Sequence, residues 1–173
     1  MSEACVLAGP KIAFLVIELD ANVRSVLDGI DVPWEVVACD PELADTASFV
    51  KAYGYALEDS ANTIIVVGKS DPPRYVACVV LASTRLDVNR AVKKRLGVRA
   101  SFASAEEGAR LTGMTLGGIT PIGITTMPIW VDARVMTREK IILGGGSRSC
   151  KILTPPSIFL ALPNAEIVEG LAG

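Results

Sequence analysis

The sequence contains no histidine among its 173 residues. Histidine is the side chain that ordinarily takes the proton from a serine or cysteine nucleophile near neutral pH, so Ser-His-Asp and Cys-His machinery is excluded. The four cysteines, Cys5, Cys39, Cys78 and Cys150, lack any C-x-x-C spacing, and without histidine they do not form a zinc-binding pattern. We therefore expect no metal site and buried free thiols in place of disulfides.

Long apolar runs and a strong excess of one charge are also missing. The apolar run over residues 12–17 ends at Glu18 and Asp20, far short of the roughly 20 residues that a membrane span requires. No small-residue cleavage site of the A-x-A kind follows it. The formal net charge of -2 excludes a chain that coats nucleic acid without discrimination, so DNA binding is not expected and any RNA contact has to be local. These absences predict a cytoplasmic protein without a membrane contact.

What the sequence does contain is the composition of one globular domain, with 50% apolar and 21% charged residues. Apolar spacing at three and four predicts helices over residues 11–27, 43–53, 88–96 and 104–111, and from 155 onward, although the β-branched start of the first is also compatible with a strand. In the second helix, Leu43, Ala47, Val50 and Tyr53 are predicted to share one face. Gly54, Gly97 and Gly113 are placed to end three of these helices.

Runs rich in β-branched residues predict strands over 34–39, 63–67, 75–81, 128–132 and 140–143. Residues 63–67 and 75–81 are separated by a glycine and a proline-containing loop, which favours an antiparallel hairpin. We predict a mixed α/β fold in a single domain, with a curved, largely antiparallel sheet or an open barrel flanked by helices.

Two glycine-rich segments are the strongest local signals for a binding site. The first is Gly117-Gly118-Ile119-Thr120-Pro121-Ile122-Gly123, and the second is Gly144-Gly145-Gly146-Ser147-Arg148. Glycine allows the backbone to approach a ligand closely, and successive amides can surround a carbonyl or phosphate oxygen. Each segment taken singly is also compatible with an ordinary tight turn.

Several short motifs accompany these segments in a fixed order: Asp45-Thr46-Ala47, Asn62-Thr63-Ile64-Ile65-Val66, Arg85-Leu86-Asp87, Leu111-Thr112-Gly113, the first glycine segment, Val131-Asp132 and the stretch from Gly144 to Lys151. In this order they resemble the YbaK/prolyl-tRNA-synthetase-associated editing family from Trp34 to the C-terminus. We therefore predict one editing domain over residues 1–173, in which residues 1–33 form an N-terminal extension.

The resemblance implies an enzyme that hydrolyses a wrongly attached amino acid from the 3′ end of tRNA. Members of the family act without a metal or a covalent nucleophile, and no cofactor is expected. Backbone amides of the segment from Gly117 to Gly123 are then expected to stabilise the oxyanion that develops during hydrolysis. The absence of a synthetase portion predicts the free-standing form, with the acceptor end of aminoacyl-tRNA as its partner and prolyl-tRNA synthetase as a possible second one. By the same resemblance, the candidate catalytic residues are Asn62, Thr63, Gly117, Gly118, Thr120, Pro121 and Gly123. The candidate substrate-binding residues are Thr46, Gly144, Gly145, Gly146, Ser147 and Lys151.

Asn62 departs from the family pattern, which places a lysine at this position. An amide donates hydrogen bonds but supplies no charge, so another cation has to replace the lysine or the activity differs. Lys51, Lys69 and Lys151 are the available substitutes, and Lys151 is the best of them because it follows the second glycine segment.

A basic stretch after Asp87 is the candidate surface for the tRNA backbone. Contacts with phosphates would position the RNA without reading its sequence, and they would weaken as salt rises. The same charges are also typical of a solvated helix face. The four residues are Arg90, Lys93, Lys94 and Arg95.

Three hypotheses for function follow. The first is a trans-acting deacylase for a small amino acid, such as alanine, serine or cysteine, on tRNA(Pro). The alternative is a non-catalytic module that binds an amino acid or aminoacyl-tRNA, with Asn62 as its motivation. A third, an interaction domain unrelated to tRNA, predicts that Gly118→Ala and Gly145→Ala leave function unchanged.

Overall fold

Strands and short helices alternate along the part of the chain that the computed structural model describes, residues 17–173. The helices are α1 (Ala21–Asp28), α2 (Thr46–Tyr53), α3 (Lys93–Leu96), which continues a π-helical turn (Val88–Val92), and α4 (Ala105–Thr112). Short 3-10 segments of one or two turns occupy Pro41–Leu43, Leu57–Asp59, Ala133–Thr137 and Pro156–Ala161. None of the helices in residues 17–173 has the length and apolar character needed to cross a membrane. The strands are β1 (Glu35–Ala38), β2 (Ala61–Gly68), β3 (Arg74–Leu81), β4 (Ala100–Phe102), β5 (Ile129–Asp132), β6 (Ile141–Gly144), β7 (Cys150–Thr154) and β8 (Ala165–Val168).

These strands form two open sheets, one with the order β4-β2-β3-β5-β8 and one with the order β1-β7-β6. The predicted hairpin is confirmed, because β2 and β3 pair antiparallel from Ala61 opposite Leu81 to Gly68 opposite Arg74. Pairing is also antiparallel for β2 with β4, β1 with β7 and β6 with β7, whereas β5 lies parallel to β3 and β8. The prediction of a mixed α/β fold with a largely antiparallel sheet is therefore confirmed, in its open form.

The main apolar core lies between the two sheets. Val79 of β3 comes from the five-stranded sheet, and Leu143 of β6 and Ile152 of β7 from the three-stranded one; all are at most 1% exposed. The outer face of the five-stranded sheet packs against the π-helical turn and α3 through Val92, and the outer face of the three-stranded sheet packs against α2 through Phe49. An isolated bridge from Ser60 to Ile142 joins the sheets where β2 begins.

The helix ends confirm the capping signals in the sequence. Gly54, Gly97 and Gly113 terminate α2, α3 and α4 with φ of 76°, 74° and 71°, a left-handed conformation that glycine adopts without a steric penalty. Ser104 and Glu107 form a reciprocal capping box at the start of α4.

Three details of the helix predictions are wrong. Residues 17–20 are not helical, and α1 begins at Ala21 because the Asp20 side chain accepts from the amides of Asn22 and Val23; residues 11–16 of that prediction lie outside the described part. The predicted apolar face of α2 is also wrong, because Leu43 belongs to the preceding 3-10 turn and is not part of the helix. The buried side chain of α2 is Phe49, whereas Ala47 is exposed. The last predicted helix is the 3-10 turn Pro156–Ala161.

Within the predicted N-terminal extension, α1 contributes Val23 and Leu27 to the main core, and both side chains are fully buried. The amide of Asp20 also donates to the carbonyl of Gly145, at 3.2 Å. The division of the chain at residue 33 stays a prediction, but α1 packs against the elements that follow it.

Leu27→Ala is expected to lower the free energy of unfolding by about 3 kcal/mol, because it removes buried methyl groups and leaves a cavity. Chemical denaturation monitored by circular dichroism measures this change. Ser25→Ala, on the exposed side of the same helix, is the matched control and should change stability by less than about 0.5 kcal/mol. Equal effects for the two variants would show that α1 does not pack as described.

Candidate functional site

A cavity of about 350 Å³ opens where the start of β2 meets β6 and β7. The N-terminal turn of α2 covers one side, and the first glycine segment covers another. The walls are mostly apolar and include Phe49, Ile64, Ile119 and Leu143. An apolar cavity with a few placed polar groups is typical of a site for a small ligand.

Lys151 of β7 lines this cavity, although its side chain is only 8% exposed. The Nζ atom donates to the carbonyl of Ala44 at 2.6 Å and to that of Gly117 at 3.1 Å, and it lies 5.5 Å from the centre of the Phe49 ring. Burial lowers the pKa of Lys151 below the ordinary lysine value. The chain thus places an ammonium group in the cavity and joins the segment before α2 to the first glycine segment through it.

Asn62 and Thr46 form a hydrogen-bonded pair on another wall of the same cavity. Thr46 Oγ1 donates to Asn62 Oδ1 at 2.7 Å, which fixes the amide so that its Nδ2 group remains a donor. The neighbouring Thr63 also lines the cavity, and its buried Oγ1 has no hydrogen-bond partner among the described residues. Buried hydroxyl groups are normally paired, so this one is an unusual feature of the cavity wall.

The glycine segments pack directly against each other. The amide of Gly146 donates to the carbonyl of Gly118 at 2.7 Å, and the amide of Gly118 donates to that of Thr115 at 2.8 Å. A Cβ atom on Gly118 would lie 2.1 Å from the Ser147 carbonyl oxygen, and one on Gly144 would lie 2.4 Å from that of Gly118. Glycine is therefore required at these positions for the approach of two backbones, and the amides of Gly118 and Gly146 are used within the protein.

The cavity therefore brings together only part of the predicted site. Among the candidate catalytic and substrate-binding residues, Thr46, Asn62, Thr63, Gly117, Gly144 and Lys151 line it. The other candidates do not line the cavity: Gly118, Thr120, Pro121, Gly123, Gly145, Gly146 and Ser147. For this second group a direct contact with substrate stays a prediction.

The residues of that second group lie in the packing around the cavity. Thr120 is fully buried, and its Oγ1 has no partner among the described residues. Gly123 approaches the backbone of α1, where an added Cβ would lie 3.4 Å from the amide nitrogen of Val23. Ser147 donates through Oγ to the carbonyl of Glu18. These contacts hold the glycine segments against the N-terminal part of the described chain.

Sequence reasoning missed Phe49, which lines the cavity and lies under the Lys151 ammonium. A signal was present, because Phe49 follows Thr46 by three residues and therefore shares its face of α2. The Ala44 carbonyl was also missed, and no side-chain pattern marks a backbone acceptor.

The basic stretch consists of the π-helical turn and α3, and it lies on the outer face of the five-stranded sheet. All four predicted cations are exposed. Arg95 forms an ion pair with Glu166, and its guanidinium lies 5.0 Å from the centre of the Trp130 ring. RNA binding by Arg90, Lys93, Lys94 and Arg95 stays a prediction.

The fold and the cavity define a class of α/β domain that has a buried lysine in a small apolar pocket. Comparison with protein families identifies it further, because the model of the aminoacyl-tRNA editing domain matches residues 40–157. The chain belongs to this family. The resemblance found in its sequence motifs is thereby confirmed.

Solved structures agree with this fold. A hypothetical protein, APE2540, superposes with a TM-score of 0.78 at 21% identity over 88% of this chain and 99% of its own. A candidate trans-editing enzyme for prolyl tRNA synthetase superposes with a TM-score of 0.74 at 22% identity, over 88% of this chain and 98% of its own. At this level of identity the two structures establish the shared fold.

Proposed function

We propose that the protein is a trans-acting aminoacyl-tRNA deacylase that hydrolyses the ester of a small amino acid, such as alanine, serine or cysteine, mischarged on tRNA(Pro). The observation that carries the proposal is the position of Lys151 Nζ in the same cavity as Asn62, Thr46 and Thr63. Membership of the editing family supports the reaction class, and the similarity to a candidate trans-editing enzyme supports the tRNA. The same similarity supports prolyl-tRNA synthetase as a second partner, and the cytoplasmic location stays a prediction.

Lys151 supplies the charge that Asn62 lacks. An ammonium group has three donors, and two of them are directed at the carbonyls of Ala44 and Gly117. The third is available for the carbonyl oxygen of the ester, on which negative charge develops as water attacks. A preorganised donor in a largely apolar cavity stabilises this oxyanion in the transition state.

Asn62 and Thr63 hold the other polar atoms of the substrate. Because Thr46 occupies Asn62 Oδ1, the Nδ2 group is presented as a second donor. Thr63 Oγ1 forms a hydrogen bond with the attacking water or with the terminal ribose. The ribose hydroxyl itself orients that water. Since an aminoacyl ester is already an activated acyl group, binding and oxyanion stabilisation suffice without a histidine base.

The size of the cavity favours a small amino acid. A space of about 350 Å³ has to admit the terminal ribose and ester together with the side chain. Phe49 and Leu143 line it, and their bulk limits the room left for the side chain of the amino acid. The test is incubation of the purified protein with tRNA(Pro) charged with alanine, serine, cysteine or proline. We expect faster loss of one of the first three than without protein, and an unchanged rate for all four would refute the deacylase.

The second candidate is a binding module that retains the pocket without hydrolysis, and the neutral Asn62 favours it. Asn62→Lys separates the two functions. This change removes the acceptor of the Thr46 hydroxyl and places a second ammonium group in the cavity that Lys151 lines, where like charges oppose each other. For the deacylase we therefore expect at least about a tenfold fall in kcat/KM, corresponding to the loss of one charge-assisted hydrogen bond. A gain of hydrolysis by the variant would instead support the binding module.

A further inference from the structure

Three cations converge on a surface cavity far from the candidate catalytic site. Lys69 directly follows β2, Arg99 directly precedes β4 and Lys93 begins α3, and together with Asn89 they line a space of about 220 Å³. No acidic side chain among residues 17–173 lines this cavity. None of the ion pairs identified within the same range of residues involves Lys69, Lys93 or Arg99. We refer to Lys69, Lys93, Arg99 and Asn89 as the basic cradle.

The cradle is held together by the backbone. The amide of Lys69 donates to the carbonyl of Arg99 at 2.7 Å, which fixes the end of β2 beside the start of β4. Like charges brought together without a counter-charge repel one another, and the chain as a whole has a net charge of -2. An anion bound between them would relieve this repulsion, and three cations with one amide match the oxygens of a phosphate group.

Strand register connects the cradle to the catalytic cavity. Asn62 and Val66 lie on the same face of β2 because side chains alternate along a strand. Phe102 of β4 pairs with Val66, and its side chain is 60% exposed. Phe102 also lines a shallow groove that shares Asn89 with the cradle. An exposed aromatic ring therefore lies between the two cavities on one edge of the five-stranded sheet.

Distances along β2 fit a nucleic acid strand. At a rise of about 3.3 Å per residue, Val66 lies about 13 Å from Asn62 and Lys69 about 23 Å from it. Stacked nucleotides are spaced about 3.4 Å apart along one strand, so these distances correspond to about four and about seven nucleotides. A nucleotide about four positions from the ester lies where the unpaired 3′ overhang of tRNA meets the acceptor stem. A nucleotide about seven positions from the ester lies within the duplex of that stem.

We propose that the edge formed by β2 and β4 is a track for the RNA substrate, in which Phe102 stacks on an unpaired nucleotide and the basic cradle binds a backbone phosphate of the acceptor stem. This inference rests on the deacylase function proposed above, because it places the ester in the Lys151 cavity. It adds Lys69, Arg99 and Phe102 to the predicted RNA surface and leaves Arg95, paired with Glu166, outside the track.

The test compares aminoacylated tRNA with the aminoacylated CCA trinucleotide, which is too short to reach the cradle. For tRNA, Lys69→Ala, Lys93→Ala and Arg99→Ala should each raise KM about fivefold and reduce the slope of log KM against log salt by about 1. Phe102→Ala should raise KM for tRNA about tenfold, because stacking on an aromatic ring is lost. Values of kcat, and all parameters for CCA, should stay unchanged.

Matched controls are available for both kinds of side chain. Lys140 is an exposed lysine directly before β6 that does not line the cradle, and Leu160 is an exposed apolar residue, 71% accessible, in the Pro156–Ala161 turn. Lys140→Ala and Leu160→Ala should change KM less than twofold. Equal effects of Lys93→Ala and Lys140→Ala would refute the cradle, as would a KM increase of the same size for CCA.

Binding of uncharged tRNA, followed by fluorescence anisotropy, separates this inference from the proposed hydrolysis. If no aminoacyl ester is cleaved but the cradle variants still weaken tRNA binding, the track stands and the deacylase does not. If hydrolysis occurs but a Lys69, Lys93 and Arg99 triple alanine variant binds tRNA like the wild type, the track is refuted. Titration with inorganic phosphate identifies the source of the ligand, and tight phosphate binding without tRNA binding would also overturn the assignment to RNA.

Discussion

Lys151→Met is expected to lower kcat/KM for deacylation by about 10²- to 10³-fold, the loss that follows removal of one oxyanion-stabilising donor. Methionine preserves the length and apolar packing of the side chain but has no donor. Single-turnover measurements with mischarged tRNA(Pro) would detect this loss in the chemical step. Lys151 is the basic residue that lines the described cavity, and the neighbouring Arg148 is held by the carbonyls of Pro41 and Leu116 and by the carboxylate of Asp45.

The matched control for this variant is Lys51→Met. Lys51 is exposed in the last turn of α2 and does not line the cavity, so its removal should change kcat/KM less than twofold. Lys151→Met also leaves the carbonyls of Ala44 and Gly117 without a donor, which lowers stability by about 1–3 kcal/mol. Thermal denaturation therefore has to show that the variant is folded at the assay temperature. A folded variant with wild-type kcat/KM would exclude Lys151 from the reaction.

The same residue gives the activity a pH dependence. Burial lowers the pKa of Lys151, and only the protonated form carries the positive charge and the third donor, so catalysis should decline as pH rises through this lowered value. In Lys151→Met the decline should disappear, after subtraction of the uncatalysed hydrolysis that base accelerates. The variant thus distinguishes titration of Lys151 from a general effect of alkaline pH on the fold.

Stability should respond in the opposite direction. Between the lowered pKa of Lys151 and its ordinary value, the unfolded chain binds more protons than the folded one. The contribution of this group to the free energy of unfolding therefore increases as pH rises across that interval. Comparison of wild type and Lys151→Met by chemical denaturation at several pH values measures this contribution.

Gly118→Ala is expected to lower the free energy of unfolding by about 4 kcal/mol or more, which is at the upper end of single substitutions. The new Cβ would lie 2.1 Å from the Ser147 carbonyl oxygen and 2.4 Å from its carbon. Both are backbone atoms, so a side-chain rotation cannot relieve the overlap. The two glycine segments would have to separate, and the hydrogen bond from the Gly146 amide to the Gly118 carbonyl would be lost.

Gly29→Ala is the matched control for Gly118→Ala. A Cβ at Gly29 would contact only the carbonyls of Ser25 and Val26 at 3.6 Å, an ordinary van der Waals distance. This variant should unfold within about 0.5 kcal/mol of the wild type in urea. A similarly small effect for Gly118→Ala would mean that the two segments are not packed backbone to backbone.

These clashes also change how the interaction-domain hypothesis has to be tested. Gly145→Ala would place a Cβ 2.4 Å from Cys150 Sγ, which is buried beside Lys151. Loss of function in Gly118→Ala or Gly145→Ala would therefore indicate only that the fold is disturbed. It would not distinguish one function of the protein from another. Lys151→Met, Asn62→Lys and the cradle variants are better tests because their side chains end in a cavity.

Features that depend on neighbouring residues could be predicted from the sequence. Gly54, Gly97 and Gly113 end their helices as expected, and the capping box at Ser104 forms as expected, because each signal acts within a few residues of its own position. The β2-β3 hairpin follows from two adjacent β-branched runs. The start of α1 was predicted too early because the Asp20 cap competes with apolar periodicity. The face of α2 was predicted wrongly because Leu43 belongs to a separate 3-10 turn.

The sequence by itself determined the family and the positions of most elements, and it indicated Lys151 as the best substitute for the missing lysine. Only the tertiary structure decided that Lys151 is buried in the same cavity as Asn62, because the two acceptors of Lys151 Nζ lie 107 and 34 residues away along the chain. Tertiary contacts also decided the role of the glycines, which allow two distant backbones to touch. Such contacts depend on how sheets pack, and the spacing of residues along a chain does not specify that packing.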